Sequence, residues 1–208
     1  MVKIIPFTYC EYFDLYANTY VLVDENDNCV VVDPGRDYSG IVDFIKESEL
    51  HLKAVLLTHG HFDHIRGVDL LVDAFKVPLY LASEDKEFLT NPHLNCSDRF
   101  SRNPVTVKSE SIGIKDGEEL KVLSEPIKVI ATPFHTPGCV CFYLKDSKAL
   151  ITGDTLFIEG IGRTDFPLSN PSLIVSSLRK LEKLPDDIKI FPGHNEEGNL
   201  KESLMRVL

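Results

Sequence analysis

The 208-residue sequence lacks any apolar run approaching the roughly 18 to 20 residues that a membrane-crossing helix needs, so no membrane association is expected. It also lacks a cationic surplus. Its 22 Lys and Arg stand against 32 Asp and Glu, a formal net charge of −10. Nucleic-acid surfaces need clustered Lys and Arg to neutralise phosphates, so no nucleic-acid partner is expected. The opening Met1-Val2-Lys3-Ile4-Ile5-Pro6 is too short and too soon interrupted to read as a signal peptide. Five cysteines, at positions 10, 29, 96, 139 and 141, form an odd and irregular set rather than a disulfide framework. A cytoplasmic, reducing setting is the expectation, and Cys139 and Cys141 read as buried thiols in an apolar run. No Ser-, Gly- or Pro-rich linker and no short repeat divides the chain. Residues 1–208 are therefore expected to form one compact α/β domain.

Short apolar runs bounded by turn residues predict strands. Lys3–Phe7, Tyr20–Asp24 and Cys29–Val32 come first, the last two joined by a hairpin turn over Glu25-Asn26-Asp27-Asn28. Ile41, Val42, Phe44 and Ile45 predict a helix over Ser39–Glu49 with Ser39 as its cap. Lys53–Leu57 reads as a strand, Val68–Phe75 as a helix, Pro78–Leu81 as a strand, and Ser83–Leu89 as a short acidic helix capped by Ser83. Thr90–Pro104 has no period and reads as a long loop, a kind of segment often functional in compact domains. A second block follows the same plan. Strands are predicted over Glu119–Leu123, Ile127–Ala131, Val140–Leu144, Ala149–Thr152 and Ile188–Phe191. Helices are predicted over Pro171–Leu184, with Asn170 as cap, and over Asn199–Val207.

What the chain does have is histidine concentrated in one place. Three of its seven fall in Thr58-His59-Gly60-His61-Phe62-Asp63-His64, together with a carboxylate. Imidazole nitrogen and carboxylate oxygen suit zinc, iron or manganese. Gly60 lets the backbone bend between the first two imidazoles. Further pieces each follow an apolar strand: His135 within Thr132–Gly138, Asp154 within Gly153-Asp154-Thr155, and His194 within Pro192-Gly193-His194. Strand-end loops are where α/β sheets gather their sites, so four on one rim can share a cavity. Of the two remaining histidines, His51 reads as the end of a surface helix, and His93 lies in the long loop, either on the surface or at a substrate mouth.

His59-Gly60-His61-Phe62-Asp63-His64 resembles the H-x-H-x-D-H signature of the metallo-β-lactamase fold superfamily. Val32-Asp33-Pro34-Gly35, Thr132–Gly138, Gly153-Asp154-Thr155 and Pro192-Gly193-His194 continue the resemblance in the family's order, over residues 32 to 195. It implies a four-layer αββα sandwich with two divalent metal ions, zinc first and iron or manganese as alternatives. Carried over by position, His59, His61 and His135 would hold one ion. Asp63, His64 and His194 would hold the second, Asp154 would bridge both, and Asp63 would also be the catalytic carboxylate. Asp33 resembles the acid that orients ligand histidines from behind; its other reading is a cap on the Pro34-Gly35 turn.

Two neighbouring cations lower the pKa of a bridging water and polarise a carbonyl, which suits hydrolysis of an activated acyl compound. Within the superfamily the chain looks most like the glyoxalase II branch, on Ala131–Gly138 and Gly153-Asp154-Thr155-Leu156-Phe157. The implied reaction is cleavage of a small thioester such as a hydroxyacylglutathione by a metal-bound hydroxide. Three features depart from that branch. Gly162-Arg163-Thr164-Asp165-Phe166 replaces a Gly-Lys-x-Tyr segment, Asn195-Glu196 follows His194 in place of Glu-Tyr, and no helical glutathione-binding domain is expected after Leu208. Arg163 remains as an anion contact or the salt-bridge partner of an Asp, and Arg99 and Arg102 could add charge from the long loop. The alternative is a persulfide dioxygenase-like enzyme, whose single iron would be held by His59, His135 and Asp154. A non-catalytic binding module is disfavoured by the intact ligand set.

Overall fold

The computed structural model describes residues 1–8, 15–36 and 39–208, which leaves Cys10 outside the described residues. Two six-stranded sheets account for its framework, each following the order of the chain. The first contains β1 (Lys3–Phe7), β2 (Thr19–Val23), β3 (Asn28–Val32), β4 (His51–Leu56), β5 (Leu79–Ala82) and β6 (Ser111–Ile114). The second contains β7 (Glu119–Leu120), β8 (Ile127–Ala131), β9 (Val140–Leu144), β10 (Ala149–Gly153), β11 (Lys189–Pro192) and β12 (Gly198–Asn199). In the first sheet β1 to β3 are antiparallel and β3 to β6 parallel. In the second, only the β10–β11 pair is parallel.

Successive side chains of a strand point to opposite faces, and both faces are covered here. Val30 and Val32 of β3 pack between the sheets with Leu22, Leu56, Phe142, Leu144 and Ile151. Val31, one residue between them, faces outward with Val55 onto α1 (Ser39–Glu47) and α3 (Val68–Phe75), through Ile41, Ile45, Val68 and Leu71. On the far side Cys141, Tyr143, Leu150 and Ile190 meet α5 (Ile174–Leu181) and α6 (Leu200–Val207). The result is helix, sheet, sheet, helix, the expected αββα order. Two further single turns, α2 (Phe62–Ile65) and α4 (Ser97–Phe100), sit near the strand ends. Among the described residues no helix is long and apolar enough to cross a membrane.

Several local expectations are corrected. His51 opens β4 rather than closing a helix, and α1 ends four residues before it. Ser39 lies within α1 rather than ahead of it. Ser83–Leu89 is a 3-10 helix whose cap position is Ala82, without a side-chain bond. Asn170 does cap its helix, accepting from the Ser172 amide, but the first turn there is 3-10 over Pro171–Leu173. The turn after β2 is organised by Asp24, whose Oδ1 accepts from the Asn26 and Asn28 amides at 2.8 and 3.0 Å. The edge strand β6 was unexpected, because its Ser-Ile-Gly-Ile has too few apolar residues to stand out; pairing with β5 defines it.

Candidate metal centre

Four strand ends open on one rim. β4 runs into Leu57-Thr58-His59-Gly60-His61, and α2 then presents Asp63 and His64. β8 leads to His135, β10 to Asp154, and β11 to His194. The close approach of these segments demands glycine. At Gly60 a Cβ would lie 2.4 Å from the Cβ of Phe88, and at Gly193 it would lie 2.3 Å from Asp154 Oδ1.

All seven ligand candidates converge. His61 Nδ1 lies 3.1 Å from His59 Nε2 and 2.9 Å from His135 Nε2. Asp63 Oδ2 lies 3.1 Å from His194 Nε2 and 3.9 Å from His64 Nε2. Asp154 stands between these triads, with Oδ1 3.4 Å from His64 Nε2 and Oδ2 3.5 Å from His135 Nε2 and 3.6 Å from His194 Nε2. Six of the seven side chains are buried and His194 is partly so.

The outward nitrogens fix which lone pairs face in. His135 Nδ1 donates to the Arg163 carbonyl at 2.7 Å. His64 Nδ1 donates to Asp33 Oδ2 at 2.9 Å. Thr58 Oγ1 donates to the same Asp33 oxygen at 2.6 Å and accepts from His59 Nδ1 at 3.1 Å. Asp33 Oδ1 also takes the Thr58 amide at 2.8 Å. The Asp33 carboxylate is therefore directed at Thr58 and His64, not at the Pro34-Gly35 turn. These tautomers follow from the hydrogen-bond network.

The donor set fits a cation. With the Nδ1 protons of His59 and His135 committed outward, their Nε2 lone pairs meet His61 Nδ1 in one small space, where a single proton on His61 cannot serve both lone pairs. His64 Nε2 and Asp154 Oδ1, which face each other across 3.4 Å, are buried without a hydrogen-bond partner. His59, His61 and His135, and separately Asp63, His64 and His194, offer ligand atoms within 4.8 Å of one another. A divalent ion accepts what the protein leaves unpaired.

The two triads differ in charge. Burial and the neighbouring imidazoles push His59 well below its usual range, and burial with His135 pushes His61 down to about 3. Burial also pulls on His64, but Asp33, Asp154 and Asp63 outweigh it and hold that imidazole well above its usual range. His194 is raised likewise, burial being outweighed by Asp154 and Asp63. Burial opposes ionisation of Asp154 and Asp63, yet His194 and His64 keep both carboxyls below their usual range.

The site forms the floor of a cavity of about 250 Å³. Its walls include Phe62, Phe100, Phe157, Ile161 and Phe166. The Phe166 ring packs edge-on against His61 and His135, with centroids 5.2 and 5.7 Å apart. Arg163 lines the cavity, but its guanidinium takes Asp165 with two bonds of 2.9 and 2.6 Å and lies 4.6 Å over Phe166. The salt-bridge reading is therefore observed. From the long loop it is Cys96 and Phe100 that line the cavity, while Arg99, Arg102 and His93 do not. His93 is exposed and bonded to Asp98 at 3.1 Å. Cys139 and Cys141 are buried free thiols, as expected. Sequence reasoning missed Thr58, Phe166 and the fully buried Asp85. Only Thr58, directly before the histidines, carried a signal in its position.

A four-layer sandwich with a histidine- and aspartate-lined centre between its strand ends defines a metal-dependent hydrolase fold. The sequence profile of the Metallo-beta-lactamase superfamily matches residues 12–194, and the chain belongs to that superfamily, whose members bind divalent metals. Among its relatives is the probable metallo-hydrolase YqgX of Bacillus subtilis, 37% identical over 89% of this chain and 88% of that protein. Hydroxyacylglutathione hydrolase GloC of Haemophilus influenzae is 35% identical over 93% of this chain and 90% of its own length. The crystal structure of BLEG-1 B3 metallo-beta-lactamase superposes with a TM-score of 0.88 at 32% identity, over 99% of this chain and 97% of that one. TTHA1623, in a di-iron-bound form, superposes with a TM-score of 0.84 at 28% identity, over 95% and 96%.

Proposed function

We propose that residues 1–208 act as one domain that hydrolyses a small thioester of the hydroxyacylglutathione kind. His59, His61 and His135 would hold one divalent ion, Asp63, His64 and His194 a second, and Asp154 would contact both. Zinc is the first expectation, with iron or manganese acceptable to the same donors. The observation that carries this reading is the convergence of seven buried or half-buried donor groups, five of which line one cavity. The likeness to GloC over nearly the whole of both chains supports the thioester.

When bound, such ions supply Lewis acidity, which makes a coordinated water acidic and polarises an acyl carbonyl. The chain's own residues do the rest. Thr58 and the Arg163 carbonyl take the outward Nδ1 protons of His59 and His135, which turns their Nε2 lone pairs inward, and Asp33 orients His64 in the same way, its inward Nε2 proton leaving when an ion binds. Asp63 lines the cavity as an ionised carboxylate and accepts a hydrogen bond from the attacking water, orienting it. Phe100, Phe157 and Phe166 wall the acyl group from bulk water. Arg163, held at the rim by two bonds to Asp165, would meet the carboxylate end of the substrate by exchanging that partner for it.

Metal analysis of protein purified without chelator, followed by thioester and persulfide assays, tests the reading. Two divalent equivalents with thioester cleavage and no oxygen uptake are expected. One iron equivalent, with oxygen consumed on glutathione persulfide, would overturn it in favour of the dioxygenase.

A further inference from the structure

The 3-10 helix Ser83–Leu89 carries three acids, Glu84, Asp85 and Glu87. Glu84 and Glu87 are exposed, whereas Asp85 is turned inward and is 0% exposed. Among the described residues its carboxylate pairs with no Lys or Arg. Instead it takes three donors from two different loops. Oδ2 accepts from the Gly60 amide at 3.0 Å and from Thr136 Oγ1 at 2.6 Å, and Oδ1 accepts from the Gly138 amide at 2.6 Å.

Those donors flank the three-imidazole triad. Gly60 lies between His59 and His61, Thr136 directly follows His135, and the two loops leave different sheets. The fit is close on both sides. A Cβ at Gly138 would lie 2.6 Å from Asp85 Cγ, and one at Gly60 would strike Phe88 of the same helix. A buried carboxylate without a counter-ion is an expensive way to join two loops, and apolar packing would stabilise the fold more cheaply. Burial raises this carboxyl to about 6 despite its three donors. Such a group is explained by what it positions.

We propose that Asp85 is a positioning residue for the first metal: by bonding Gly60, Thr136 and Gly138 together it sets the spacing of His59, His61 and His135. It touches neither ligand nitrogens nor the cavity. The inference rests on the reading that this triad holds a divalent ion.

The test is cobalt(II) titration of the metal-free full chain, followed by visible absorption, beside thermal melting of the same protein without metal. Asp85→Asn keeps the size but turns an amide NH2 towards N–H or O–H donors. One of two cobalt equivalents is expected to weaken by about 10- to 100-fold with an altered spectrum, as outer partners of metal ligands commonly do on replacement. The other equivalent is expected to bind as in the parent. His194→Ala, which leaves the three-imidazole triad intact, assigns the weakened equivalent to that triad. Thr136→Val removes one donor and keeps the carboxylate, so it should show the same selective loss in smaller measure even where Asp85→Asn does not fold. Unchanged cobalt affinities and spectrum, or equal weakening of both equivalents in step with a lower melting temperature, would overturn the proposal. Failure of the parent chain itself to bind cobalt would instead overturn the metal reading, and this inference with it.

Discussion

The two triads reach the same competence by opposite routes. His59 and His61 are kept neutral by burial and the neighbouring imidazoles, so their lone pairs are available without displacing a proton. Asp63, His64 and His194 form an ionised network in which carboxylates and imidazoles hold one another charged. The first is a matter of spacing and desolvation, the second of charge balance. Their supports differ to match. Asp33 reaches His64 directly and His59 only through Thr58, while Asp85 takes the Gly60 and Gly138 amides and the Thr136 hydroxyl, all flanking the first triad. A metal site can be prepared either by removing protons in advance or by placing opposite charges where the ion will sit.

The most severe break of this contrast is at Asp154, which faces both triads. Asp154→Ala is expected to remove the difference by disabling both, with a loss in thioesterase kcat/KM on the order of 10³-fold or more, checked by steady-state kinetics and metal analysis. Asp33→Ala should sharpen it. Metal affinity is expected to fall about 10- to 100-fold at the second triad, with a smaller loss at the first, resolved by competition titration against a chromophoric chelator.

Asp85 adds a pH signature to the first triad's support. Its carboxyl, raised from 3.8 to about 6, binds a proton more readily in the folded chain than in the unfolded one. Its contribution therefore favours the fold below about 3.8 and is lost as pH rises through about 6. Urea melts of the metal-free protein should show Asp85→Asn losing less stability than the parent across that window. The smallest effect is expected at Phe166, whose ring touches His61 and His135 but no member of the second triad among its ring contacts. Phe166→Leu should change KM a few-fold and leave second-triad affinity intact, read from kinetics and titration side by side.

The seven groups that converge were legible because metal chemistry restricts residue type and the motif crowds four of them into six positions. The layers were legible too, since strand-length apolar runs recur at regular spacing. What stayed hidden depends on distant approach. Asp85 sits in Ser83-Glu84-Asp85-Lys86-Glu87, which reads as a solvated surface, and only the meeting of two loops from different sheets turns that one acid inward. The pairing of Arg163 with Asp165 was one of two open readings, because a neighbouring acid and a bound anion compete for the same guanidinium. Phe166 reads from sequence as loop; packing against two imidazoles is a fact of tertiary placement.

Because each sheet follows the order of the chain, His59, His61, Asp63 and His64 belong to the earlier half and His135, Asp154 and His194 to the later half. During synthesis neither triad can close until the ribosome has passed its last member, and the second waits for His194. An ion held as proposed would therefore tie together two halves of the chain that are made at different times, since neither half alone offers a full set of donors.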